Sequence, residues 1–65
     1  MIMSCYNVDG EPKYWVKEDT ESKTWLVIED STDSLMSEAI AVFDSKEDAD
    51  KEAERLMKKC LADNQ

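Results

Sequence analysis

The stretch SKEDADKEAERLMKKCLA, residues 45–62, decides how the rest of the chain is read. Ser45 is of a type that caps a helix, and Asp48 stands three residues on, where a reciprocal capping acid belongs. Ala49, Ala53, Leu56, Met57, Cys60 and Leu61 then recur at relative positions 0, 4, 7, 8, 11 and 12, one continuous apolar stripe. This predicts a helix over residues 46–62 that lays its stripe on another layer. Glu47, Asp48 and Asp50 crowd the first turns, and Arg55, Lys58 and Lys59 lie toward the end, matching the helix dipole. Glu47 with Lys51 and Glu54 with Lys58 add favourable four-residue pairs.

Upstream, the period changes from helix to strand. Asp9-Gly10-Glu11-Pro12 reads as a tight hairpin turn, because Asp-Gly supplies positive φ angles and Pro12 restricts the exit. Strands are expected on either side of it, at residues 1–8 and 13–18. Trp25, Leu26, Val27 and Ile28 centre a third strand at 24–29, and a fourth fits residues 37–43 after the polar run 30–34. The fold class that follows is α+β. It is an antiparallel β-meander of three to four strands with one C-terminal amphipathic helix packed on one face. Residues 1–65 make a single domain, too short to divide into two cores.

The chain carries 16 acids, 8 bases and no histidine, a formal charge of −8. Residues 45–65 hold six acids and five bases, so the helical part is nearly neutral at −1; residues 1–44 hold ten acids against three lysines and account for the other −7. Such a charge disfavours direct contact with nucleic acid or anionic membrane and favours a basic partner. Acids of this sign also keep a small domain soluble, which is the plain alternative to a functional role.

Catalytic chemistry finds little support. Without histidine the commonest general base and zinc ligand is missing, and no serine or cysteine stands beside a base in a recognisable dyad. One glycine excludes a glycine-rich phosphate cradle, and Glu29, Asp30 and Asp33 do not follow the EF-hand spacing. The expectation is no enzyme, no metal and no cofactor. Cys5 and Cys60 fall in no metal-binding spacing and are read as reduced, partly buried thiols rather than as a structural disulfide. No apolar run reaches membrane-span length and the start has no leader pattern, so a cytoplasmic protein is expected.

Size, charge and strand-to-helix order together resemble the small acidic phage-encoded anti-CRISPR proteins, in particular inhibitors of type I systems. The resemblance covers the whole chain and rests on no motif. It implies a host-cytoplasmic inhibitor that mimics DNA and occupies a basic DNA-binding surface of the Cascade complex. Carboxylates two apart on a strand lie roughly 6.5 to 7 Å from each other, near the spacing of successive phosphates. On this reading Glu18, Asp19, Glu21, Glu29, Asp30, Asp33 and Glu38 pair with lysines and arginines of the target, while Tyr14, Trp15 and Trp25 supply apolar anchoring. Because consecutive apolar residues put such groups on both sheet faces and one helix covers one face, the chain is expected as a monomer or a homodimer. The alternative is a small regulatory module, similar to the amino-terminal part of HicB-like antitoxins.

Overall fold

The helix begins where the cap places it. In the computed structural model, which describes residues 5–63, α1 spans Lys46–Asp63, and the Asp48 amide donates to Ser45 Oγ at 3.2 Å. The helix runs one residue beyond expectation. That extension leaves its last turn without a base and ends it on Asp63, so the C-terminal half of the dipole match is absent. Four exposed pairs brace its outer face: Lys46–Asp50, Lys51–Glu47, Arg55–Glu52 and Lys58–Glu54. Each contributes little in water.

Three strands, β1 (Tyr14–Asp19), β2 (Thr24–Asp30) and β3 (Ser37–Phe43), form an antiparallel sheet in the order β1-β2-β3. Each begins or ends within one residue of its expected bounds. Residues 20–23 close the first hairpin; Asp19 Oδ1 accepts from the Glu21 amide at 3.2 Å, and Lys23 takes the left-handed φ of 57° that the turn requires. Between β2 and β3 the register slips at Val27/Ile28, because Val27 faces Ala41 while Ile28 faces Ala39. Ile40 is therefore the extra residue of a bulge.

The strand expected at 1–8 is not found among the described residues. Residues 5–13 instead form a narrow arm with a single bridge, Tyr6 to Pro12. Pro12 has no N–H with which to extend a ladder. Asn7 does the folding: its Oδ1 accepts the amides of Asp9 (2.9 Å) and Glu11 (3.0 Å), its carbonyl accepts from the Gly10 amide, and Gly10 adopts φ 83°. Residues 1–4 of that expected strand lie outside the described ones.

The helix stripe meets one sheet face. Val27 and Ala49 have no exposed surface, Ala53 is nearly buried, and Tyr14, Val16, Trp25, Ala41, Phe43 and Leu56 pack around them. Ala49 and Ala53, one turn apart, let the helix approach β2 closely. This core is thin, because Val27 is its largest fully buried side chain.

Cys5 and Cys60 form a disulfide, with Cα atoms 5.9 Å apart, which overturns the reading of two reduced thiols. Their 55-residue separation carries no local spacing signal. Topology brings them together. β3 ends beside Trp25 at the β1–β2 turn, the helix runs back from there, and its final turns reach the arm, where the Lys13 amide bonds to the Cys5 carbonyl at 3.0 Å.

A candidate binding surface at one end of the sheet

The acids of the sheet fall into two groups at opposite ends. Glu18, Asp19 and Glu21 stand at the β1–β2 turn. Glu29, Asp30, Asp33 and Glu38 stand at the other end of β2, roughly 13 to 20 Å away along the strand. A phosphate-like track along one strand is not realised, since no strand carries two acids on the same face two positions apart. Closeness arises between strands and loops instead. Glu29 faces Glu38 directly across the β2–β3 ladder, a like-charge pair that opposes the pairing there. Tyr14 relieves part of this by donating its hydroxyl to Glu29 Oε2 at 2.9 Å. Burial, then that hydrogen bond and the Glu29 charge, raise the Tyr14 phenol above its ordinary pKa.

Asp30 anchors this end. Its Oδ2 accepts from Asn7 Nδ2 at 2.9 Å, tying the arm to β2, and its amide donates to the Lys13 carbonyl at 2.8 Å. Hydrogen bonding from the Trp15 indole, then from Asn7, holds the Asp30 carboxyl below the usual range. A lowered folded-state pKa contributes stability that is fully present above the ordinary value of about 3.9 and is lost as pH falls through the lowered one. Thermal unfolding followed from about pH 6 to about pH 2 should therefore show an acid-side decline that is smaller in Asp30→Asn. An equal decline in both proteins would contradict this role.

Two shallow clefts flank Asp30. One, of about 290 Å³, is lined by Asn7, Val8, Asp9, Glu11, Trp15, Leu35 and Met36 among others. The second, of about 310 Å³, is lined by Lys13, Glu29, Ser31, Met36, Ser37 and Glu38 among others. Asp33 sits in the intervening loop, accepting the Ser31 hydroxyl at 2.7 Å. Five carboxylates, those of Asp9, Glu11, Glu29, Asp30 and Glu38, and one base, Lys13, thus line the two clefts; the Lys13 ammonium lies 5.6 Å from the Tyr14 ring centroid. Leu35 and Met36 are 83% and 74% exposed beside them.

Of the aromatic residues expected to anchor a partner, the structure places Tyr14 and Trp25 under the helix, against the core. Trp15 alone stands on the uncovered face, in line with Ile28 and Ala39 and next to Leu26 and Val42. Asp9, Glu11 and Asn7 belong to this end, although the sequence assigned Asp9 and Glu11 only to a turn and Asn7 to the strand expected at 1–8. The signal available was Asn7 two residues ahead of Asp9, the spacing of an Asx turn. Among the described residues no group of three or more His, Cys, Asp or Glu side chains is arranged to hold a metal ion, and no helix is long and apolar enough to cross a membrane. No protein-family model, curated protein or solved structure matches this chain.

Proposed function

We propose that the protein is a non-enzymatic inhibitor that works by binding, its carboxylates occupying a basic surface on which a target protein otherwise holds DNA. The carrying observation is that Asp9, Glu11, Glu29, Asp30 and Glu38 line two clefts that meet at Asp30 and hold one lysine, with exposed Leu35 and Met36 beside them and Asp33 in the loop between β2 and β3. Such a surface combines charge that steers a basic partner with apolar groups that retain it. The identification of the target as a type I Cascade complex is supported by resemblance in size, charge and element order.

A cytoplasmic place of action has to accommodate the bridge. Cytosolic surroundings keep cysteines as thiols, so there the protein would act with Cys5 and Cys60 reduced, its arm still tied to β2 by the Asn7–Asp30 side-chain bond and by the Asp30 amide on the Lys13 carbonyl.

The test is displacement of duplex DNA from purified type I Cascade. The concentration needed for half displacement, corrected for DNA's own salt response, should rise on the order of ten-fold between about 50 mM and about 200 mM salt. Displacement indifferent to salt, or none, would contradict the proposal.

A further inference from the structure

The two outer strands of the sheet are guarded very differently. β1 carries Lys17, Glu18 and Asp19 over its second half, the charge that natural edges use against unwanted pairing. β3 has one charge, Glu38, and then five uncharged residues in a row, 39–43, of which Ile40 and Val42 are 39% and 60% exposed. It contains no lysine and no proline. Within the described residues its outward amides and carbonyls have no backbone partner.

From this we infer that the outer edge of β3 receives an extended segment of the basic partner as an added strand. The inference rests on the proposed function for the partner's charge. Both ends of the open run are acidic, Glu38 before it and Asp44 after it. A second copy pairing antiparallel across a two-fold axis would bring Glu38 of each molecule toward Asp44 of the other, between chains that each carry −8. A segment with an uncharged β-forming centre and a lysine or arginine at either end meets the same edge with opposite charges. The bulge at Ile40 adds local twist, which opposes growth of a flat multi-copy sheet and leaves room for one added strand.

The probe is a synthetic seven-residue peptide of alternating valine and threonine with lysine at both ends, compared with the same peptide ending in glutamate. On titration into the isotope-labelled full chain, amides within residues 37–43 should shift and become protected from hydrogen exchange. The lysine-ended peptide should bind at least about ten-fold tighter than the other. Ile40→Pro, a substitution that edge strands and bulges tolerate, should abolish this protection while leaving the remaining spectrum unchanged. Equal binding of both peptides, shifts confined to other residues, or no shifts would overturn the inference, and the wild-type titration decides this even if the variant fails to fold. So would doubling of the protein's own mass in sedimentation with matching protection of β3, which would assign the edge to a second copy. Failure here, with salt-sensitive displacement of DNA intact, would remove the added strand and leave the proposed function standing.

Discussion

Opening the Cys5–Cys60 bridge is expected to lower the unfolding free energy by about 4 kcal/mol, the loop-entropy value for a closure of this length. The expectation is large relative to the whole, because a chain of this size has a total stability of roughly 3 to 10 kcal/mol. Its core explains why a staple matters: Val27 is the largest fully buried side chain, and Ala49 and Ala53 contribute little apolar area. The paired substitutions Cys5→Ser and Cys60→Ser, or a dithiol reductant that leaves both cysteines as thiols, should lower the melting temperature by about 20 to 30 °C. The arm should loosen at the same time, seen as loss of the Asn7 side-chain amide's protection. A drop in stability below about 1 kcal/mol would mean that the arm and helix end are held together without the bridge.

Val27→Ala is expected to destabilise by about 2 to 3 kcal/mol, since a fully enclosed side chain loses both its transfer energy and its packing against Ala49 and Ala53. Val42→Ala is the matched control. It removes the same atoms from the same sheet, but at a site 60% exposed on the face away from the helix, and should change stability by no more than about 0.5 kcal/mol. Denaturant titrations of the two variants report the difference directly. Equal losses would place the helix on the wrong face of the sheet.

That facial choice was not legible in the sequence. Trp25, Leu26, Val27 and Ile28 are consecutive, so both faces of β2 are apolar, and only the packed structure shows that Val27 meets the helix while Ile28, 7% exposed, belongs to the opposite face. The helix was legible because its cap and stripe are local properties of residues 45–61, and the strands because aromatic and β-branched runs are broken by polar turns. The disulfide was hidden by its 55-residue span. The acidic end was partly legible: Glu29, Asp30, Asp33 and Glu38 are near in sequence. Asp9 and Glu11 join them because the Asn7 amide reaches Asp30 across 23 residues and the Asp30 amide bonds the Lys13 carbonyl. Glu18, Asp19 and Glu21, read as part of the same surface, are carried to the far end by the length of β2 itself.

Two variants with the same net charge separate position from total charge. Asp9→Lys, Glu11→Lys, Asp33→Lys and Glu38→Lys together reverse the end beside Asp30; Glu18→Lys, Asp19→Lys, Glu21→Lys and Glu47→Lys reverse the end at the β1–β2 turn. Each set takes the chain from −8 to zero. Measured by displacement of duplex DNA from type I Cascade at one fixed salt concentration, the first set should weaken the protein by about 3 kcal/mol, on the order of 100-fold, and the second by less than about ten-fold. Equal weakening by both sets, or a larger loss from the turn-end set, would contradict the assignment of binding to the end of the sheet where Asp30, the arm and the 31–36 loop meet.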